Sequence, residues 1–168
     1  MASPIGEDIN KVPVPEGGYK ATIGLLLMRS YVLAQNAGHY DGMIHALEAR
    51  GLRVIPAFAA GLDARPAIET YFMKNGQPVI DGLVSLMGFS LVGGPAYNDA
   101  QAAEDILTRL DVPYIAAHPV EFQTMEQWRE SDRGLLPVES TIMVAIPELD
   151  GSTGPAIFRS EEHTSELQ

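Results

Sequence analysis

The sequence predicts an α/β domain with a mostly parallel sheet and helices on both faces, in a Rossmann-like or flavodoxin-like order. Apolar segments of strand length alternate with amphipathic segments of helix length along the chain. The first of them, Thr22–Met28, is a continuous apolar run, as expected for a strand buried on both faces. The spacing of these segments is that of βαβ units, which build parallel sheets. The order of the strands does not follow from these patterns.

The first half of the chain predicts a helix, a second strand and a second helix. Gly38–Arg50 is the first helix, because four apolar residues recur at helical spacing and Gly51 suits the position after its end. Those apolar residues are Tyr40, Met43, Ile44 and Leu47. Leu52–Phe58 is the second strand. Pro66–Lys74 is the second helix, which Asn75–Gly76 ends.

The second half predicts three further strands, at Val79–Met87, Val112–Ala117 and Thr141–Ile146. Between the first two of these, Asn98 caps a helix with Gln101 as its partner three residues on. The buried stripe of that helix is Ala103, Ile106, Leu107 and Leu110. Thr124 caps a short helix that extends through Glu130.

Composition excludes several classes of function. Apolar residues make up 46% of the 168 residues, which is typical of a globular domain, and no apolar run approaches the roughly 20 residues of a membrane span. The net charge is −11 and no basic cluster occurs, which argues against a nucleic-acid partner. The chain has no cysteine, so it has neither disulfides nor thiolate metal sites. We expect a cytoplasmic protein.

The two ends of the sequence differ from the rest. Residues 1–20 are rich in proline, glycine and charge, which predicts a linker or arm before the α/β domain of residues 21–158. Residues 159–168, RSEEHTSELQ, are the translation of a common short-read sequencing adapter. We therefore expect this tail to be artefactual and disordered, and Phe158 to be the last native residue.

Candidate site residues follow several strands at the edge where ligands bind in parallel α/β sheets, beyond the carboxyl ends of the strands. Arg29, Ser30 and Tyr31 follow the first strand, and His39 and Tyr40 come after them. Phe89, Ser90 and the turn Gly93–Gly94–Pro95 follow the third strand, and His118 and Glu121 follow the fourth. Separate loops thus converge on one rim.

The chemistry of this rim stays open on the residues alone. His118 and Glu121 carry groups that ligate a divalent metal or relay protons, and structural hydrogen bonding is the alternative. His39 is either a polar cap of the helix or a ligand. The glycine-rich turn lacks the spacing of a dinucleotide-binding loop, and the sequence contains no phosphate-binding P-loop. We therefore expect the turn only to change the direction of the chain.

Four blocks of sequence carry a resemblance to a known family. They are Arg29–Glu69, Gly88–Ala100 (GFSLVGGPAYNDA), Val112–Trp128 (VPYIAAHPVEFQTMEQW) and Gly134–Gly151 (GLLPVESTIMVAIPELDG). In this order they resemble the large, porphyrin-binding H subunit of magnesium chelatase, in the CobN/Mg-chelatase family. The GGPAYNDA and IPELDG blocks favour the magnesium enzyme over the related cobaltochelatase.

The resemblance implies an enzyme of (bacterio)chlorophyll biosynthesis that inserts Mg²⁺, its substrate ion, into protoporphyrin IX. It implies I and D partner subunits of the AAA+ type, which use the ATP, and a chain much longer than this one. We therefore expect this piece to be inactive in isolation. On this reading His118 and Glu121 bind metal or accept pyrrole protons, while His39, Tyr40 and Phe89 lie against the macrocycle.

Two other interpretations remain. In the first interpretation, the chain is a domain of a cobaltochelatase large subunit. In the second, it is a non-catalytic module that docks the AAA+ partners. A small-molecule receptor of the periplasmic type shares the fold class, but the sequence shows no secretory signal.

Overall fold

A computed structural model describes residues 14–35, 37–59, 61–94, 97–120, 123 and 125–158. In this part of the chain the strands are β1 (Ala21–Met28), β2 (Leu52–Ala59), β3 (Met73–Lys74), β4 (Gln77–Pro78), β5 (Gly82–Ser85), β6 (Tyr114–Pro119) and β7 (Ala156–Phe158). The helices are α1 (Arg29–Leu33), α2 (Gly38–Glu48), α3 (Arg65–Ala67), α4 (Ala100–Leu110), α5 (Met125–Glu130), α6 (Pro137–Ser140) and α7 (Ile146–Leu149). A π-helical turn over Ile68–Phe72 continues α3, and another over Thr141–Ala145 joins α6 to α7.

Five parallel strands form the main sheet in the order β2-β1-β5-β6-β7. Counted along the chain within this sheet, the order is 2-1-3-4-5, which is the flavodoxin-like arrangement. The predicted parallel α/β class is confirmed, and the structure selects one of the two strand orders that the sequence left open.

Helices cover both faces of the sheet, as predicted. Leu25 and Leu27 of β1 point to one face and pack with Tyr40 and Ile44 of α2. Leu26 lies in the core of the other face, whose helical contributors are Ala67, Ile68, Phe72, Ala103, Ile106 and Leu110. A strand with apolar residues on both sides is what a doubly covered parallel sheet requires.

The predicted strand over Thr141–Ile146 is wrong, because these residues form the middle of a helical segment that extends from Pro137 to Leu149. Pro137 occupies the first turn of that segment, where its missing N–H has no intrahelical partner to lose. The carboxylate of Glu139 accepts the N–H of Leu136 at 2.7 Å, which satisfies a free donor at the helix start. The fifth strand is instead the three-residue β7.

Three other predicted bounds change. The helix that begins near Pro66 ends at Phe72, because Asn75 and Gly76 both have positive φ and form the turn of the hairpin β3–β4. The third strand is only Gly82–Ser85. The fourth extends through Pro119, because His118 and Pro119 pair with Ile157 and Phe158 of β7.

The N-terminal cap of α4 is Asp99 and not Asn98. The Asp99 side chain accepts the N–H of Ala102 at 3.0 Å, while the amide of Asn98 donates to Asp150. Gln101 bonds to Asp105 one turn along the helix. The predicted cap Thr124 and the tail from residue 159 lie outside the described residues.

Among the described residues, no helix combines the length and the apolar character needed to cross a membrane.

Packing around β1 generates a stability prediction. A Cβ added at Gly24 would lie 2.8 Å from Ile80 Cδ1 and 3.1 Å from the Phe72 ring, so Gly24→Ala overpacks the core and should destabilise the chain by about 1–3 kcal/mol. Gly42→Ala in α2 is the matched control, because no atom lies within 4 Å of the added carbon. It should stabilise the chain by up to about 1 kcal/mol. Urea unfolding of both variants checks the prediction, and a Gly24→Ala chain as stable as the parent would contradict it.

Candidate functional site

The carboxyl edge of the sheet contains a switch point between β1 and β5. The connection that leaves β1 passes through α2 on one face, and the connection that leaves β5 passes through α4 on the other. In doubly wound sheets the crevice at such a point is the usual place for a ligand. The predicted rim residues that the structure describes follow β1, β5 and β6 at this edge.

A cleft of about 420 Å³ opens beside this switch point, and we call it the rim cleft. Its apolar lining is Leu27, Met28, Leu33, Ala59, Leu62 and Met87, and its other lining residues are Arg29, Ser30 and Gly61. Leu33 and Leu62, at the mouth of this cleft, are 69% and 49% exposed. A second cavity of about 370 Å³ shares Ala59, Gly61 and Leu62 with it and extends to Phe58 and Tyr71.

The wall of the rim cleft that contains Leu62 rests on the glycine-rich loop after β5. The N–H of Gly93 donates to the Leu62 carbonyl at 3.0 Å, and the N–H of Ala64 donates to the Leu91 carbonyl at 2.9 Å. Gly94 has a φ of +86°, a conformation that favours glycine, and a Cβ there would lie 2.9 Å from Leu62 Cδ1 in the wall. The two loops are thus paired, and the position of Leu62 depends on the glycine-rich loop.

The glycine-rich loop in turn is held by the buried carboxylate of Asp150, which sequence reasoning missed. Asp150 is 1% exposed, and its two oxygens accept from the N–H of Leu91 and the amide of Asn98, both at 2.9 Å. Burial raises the pKa of this carboxyl, and hydrogen bonds from Ser90, Leu91 and Asn98 oppose that rise. The GGPAYNDA and IPELDG blocks therefore meet at this carboxylate.

Four backbone N–H groups of the loop are already used within the protein. Leu91 donates to Asp150, Gly93 to Leu62, Val92 to the hydroxyl of Ser90, and Gly88 to His118. A phosphate-binding loop needs free N–H groups that converge on an anion, and here a carboxylate already occupies one of them. These four N–H groups are therefore not free to bind a phosphate, while Pro95 of the turn lies outside the described residues.

His118 is fully buried at the end of β6, where its Nδ1 accepts the N–H of Gly88 at 3.1 Å. Burial lowers the pKa of His118 from 6.5 to about 4, so the imidazole is neutral near pH 7. A neutral imidazole has one acceptor nitrogen, and Gly88 uses it, so Nε2 carries the proton. In this state Nδ1 of His118 holds the loop, and Nε2 is buried with no hydrogen-bond partner among the described residues.

His39 and Tyr40 lie together in the first turn of α2, with ring centroids 3.9 Å apart. Of the two roles considered for His39, the structure does not show the cap, because the N-terminal cap residue of that helix is Ala37. The Tyr40 ring is fully buried, its hydroxyl accepts the N–H of Met28 at 3.1 Å, and burial raises its pKa to about 12. Tyr40 thus fixes the end of β1, while the side chain of His39 stays a candidate whose role the geometry does not assign.

The other predicted site residues are placed as follows. Phe89 is 8% exposed and packs in the core beside the glycine-rich loop. Glu121 lies outside the described residues. Glu139, another carboxylate of this region, is fully buried and accepts from the amide of Gln123 and the N–H of Leu136. The assignment of His118, Glu121, His39, Tyr40 and Phe89 to substrate or metal stays a prediction.

Among the described residues, no group of three or more His, Asp or Glu side chains is arranged to hold a metal ion.

The strand order and the carboxyl edge of the sheet define a flavodoxin-like, doubly wound domain. Buried polar groups hold the loops after β5 and β6 in place, and an apolar cleft opens at the same edge. The sequence profile described as CobN/Magnesium Chelatase matches residues 14–168. The chain belongs to this family.

Individual relatives agree with that membership. The chain is 55% identical over 161 residues to the magnesium-chelatase H subunit of Cereibacter sphaeroides, and the match covers 96% of the chain and 13% of that protein. It is 46% identical over 142 residues to the chloroplastic magnesium-chelatase protein ChlH of Oryza sativa subsp. indica, covering 83% of the chain and 10% of that protein.

The structural comparison matches the catalytic subunit of cobaltochelatase from Mycobacterium tuberculosis. The TM-score is 0.60 at 26% identity, covering 86% of this chain and 13% of that one. The chain therefore spans only about an eighth of the relatives that it matches.

The buried His118 generates a pH prediction. The pKa of His118 is about 4 in the folded chain and 6.5 in the unfolded chain. Between pH 6.5 and pH 4 the imidazole therefore takes up a proton in the unfolded chain but stays neutral in the folded one. Its contribution to stability is present above pH 6.5 and is lost as the pH falls toward 4, by up to about 3 kcal/mol.

His118→Asn keeps an acceptor near Gly88 and removes the titration, so the free energy of unfolding of this variant should depend less on pH between 7 and 4. Urea unfolding at several pH values compares the two proteins. Parallel loss of stability in both would contradict the prediction.

Proposed function

We propose that this chain is a domain of the large H subunit of a magnesium chelatase. The observation that carries the proposal is the 55% identity to a magnesium-chelatase H subunit over nearly the whole chain, against 26% to a cobaltochelatase catalytic subunit. The residues that anchor the glycine-rich loop, Asn98 and Asp150, lie in the two blocks that favour the magnesium enzyme.

The proposed reaction of the full-length protein is the insertion of Mg²⁺ into protoporphyrin IX, in the biosynthesis of chlorophyll or bacteriochlorophyll. The incoming ion is a substrate, and it prefers hard oxygen ligands and gives up water reluctantly. Two pyrrole protons leave as the ion enters. The isolated chain should not catalyse the reaction, because it spans about an eighth of its relatives.

The proposed partners are the AAA+ subunits, I and D, which hydrolyse the ATP, and the proposed location in a bacterium is the cytoplasm. The internal use of four N–H groups in the described part of the glycine-rich loop supports this division of labour, because those groups are not free to bind a nucleotide phosphate.

A role as a docking or structural module within the same enzyme is the second candidate. One observation favours it: His118, Tyr40 and Phe89 are buried and serve the packing or hydrogen bonding of the rim. In that case the reacting groups lie in the rest of the polypeptide, and this domain positions them.

A chimera tests the proposed function. Residues 21–158 of this chain replace the matching segment of the H subunit of Cereibacter sphaeroides, and Mg²⁺ insertion into protoporphyrin IX is followed by fluorescence with the partner subunits and ATP present. The chimera should retain activity within about tenfold of the parent, a difference of about 1.4 kcal/mol in the barrier.

The matched control places the same segment in the cobaltochelatase catalytic subunit of Mycobacterium tuberculosis, where cobalt insertion should fall much further. A magnesium chimera that folds and assembles but inserts no Mg²⁺, beside a cobalt chimera that works, would assign the domain to the cobalt enzyme.

A further inference from the structure

Helices cover the two faces of the main sheet unequally. The helices α1 and α2 pack on the face that carries Leu25 and Leu27, while the connections that lead into β5, β6 and β7 contribute residues to the core of the other face. Five strands spaced about 4.8 Å apart span about 19 Å, whereas one helix with its side chains is about 10–12 Å wide. The single long helix α2 therefore leaves part of the first face without cover.

The uncovered part lies over β5, β6 and β7, and we call its residues Val84, Ile115 and Ala156 the open face. Val84 pairs with Leu25 of β1 and with Ile115 of β6, so these three side chains share one side of the sheet. Ala117 lies on the same side as Ile115, because side chains alternate along a strand, and it pairs with Ala156. The open face therefore continues the surface on which α2 packs.

The open face is apolar although it is accessible to solvent in this chain. Ile115 is 53% exposed, Ala156 is exposed and Val84 is half-buried. A sheet face that meets water normally presents polar side chains, whereas parallel strands are apolar on both sides because helices cover both faces. The open face thus has the composition of a surface that is buried in the native protein.

Two observations indicate what covers the open face. The net charge of −11 opposes the association of two copies of this chain. The matched relative from Cereibacter sphaeroides contains far more polypeptide, since the match covers 13% of it. A helix is the element that covers parallel sheets, and neighbouring helices pack about 8–10 Å apart, so a second helix fits beside α2.

We propose that the open face docks an amphipathic α-helix of the same full-length polypeptide, from outside residues 21–158. The apolar stripe of this helix, with residues at i, i+3, i+4 and i+7, lies on Val84, Ile115 and Ala156. The docked helix completes the second helical layer of the sheet. The inference rests on the greater length of the relatives and does not depend on which metal the enzyme inserts.

Cysteine labelling tests whether the open face is covered. The chain has no cysteine, so Ile115→Cys introduces a single thiol into the 168-residue chain, where it should react readily with N-ethylmaleimide. In the chimera with the magnesium-chelatase H subunit, the same thiol should react at least about tenfold more slowly, because labelling then requires a local opening. Mass spectrometry of the peptide that contains position 115 separates this thiol from those of the host.

Lys74→Cys is the control, because Lys74 is exposed in the hairpin β3–β4, which is not part of the main sheet. Its thiol should react equally fast in the isolated chain and in the chimera. Circular dichroism of each variant shows that it is folded. Equal labelling of Ile115→Cys in the two proteins, or slow labelling already in the isolated chain, would overturn the proposal.

Photo-crosslinking identifies the occupant of the open face. With p-benzoylphenylalanine in place of Ile115, the chimera assembled with its partner subunits should form a cross-link within one polypeptide, to an amphipathic helix outside residues 21–158. A cross-link to a second copy or to the I or D subunit would contradict the proposal.

Ile115→Lys provides a second variant that does not depend on labelling. It should leave the urea midpoint of the isolated chain unchanged, because Ile115 is half-exposed there, and should lower the thermal midpoint of the chimera, where the charge is buried without a partner. An unchanged thermal midpoint in the chimera would count against a docked helix. These readouts require a folded chimera but not an active one, so they are independent of Mg²⁺ insertion.

Discussion

The carboxylate of Asp150 is the interaction on which the arrangement of the carboxyl edge depends. It follows the helical segment Pro137–Leu149 and accepts from Leu91 and Asn98, which are more than fifty residues away in sequence. Leu91 pairs with Ala64, and Gly93 pairs with Leu62, so the same loop fixes the wall of the rim cleft. A buried carboxylate is stable only when its oxygens are hydrogen-bonded, so these donors and the carboxylate stabilise one another.

Side chains at this edge have two possible roles, a chemical one and a structural one. Polar side chains at the ends of parallel strands are candidates for catalysis, but they also satisfy the backbone groups that end each strand. His118 and Tyr40 serve that second purpose, through Gly88 and Met28. The rim cleft itself offers mostly apolar surface and the exposed Arg29.

The sequence predicted the parts of the fold that local patterns control. The apolar run of β1 and the stripes of α2 and α4 matched the structure, because burial sets their periodicity directly. The sequence did not predict the helix over Thr141–Ala145, because this run rich in β-branched residues matches a buried strand. The helix start signals, Pro137 and Glu139, precede that run. The order of the strands, the short β7 and the contact of Asp150 with Asn98 arise from pairings distant in sequence, which no local pattern encodes.

Amide hydrogen exchange at Leu91 tests the central role of Asp150 most directly. The measurement compares the parent chain with Asp150→Ala, and with Glu148→Ala as an exposed neighbour in the preceding helix. Loss of a hydrogen bond to a charged group, worth about 1.5–3 kcal/mol, should speed exchange at Leu91 by about 10- to 100-fold in Asp150→Ala. Glu148→Ala should leave exchange at Leu91 unchanged. Equal protection of Leu91 in all three proteins would show that the loop holds its position without the carboxylate.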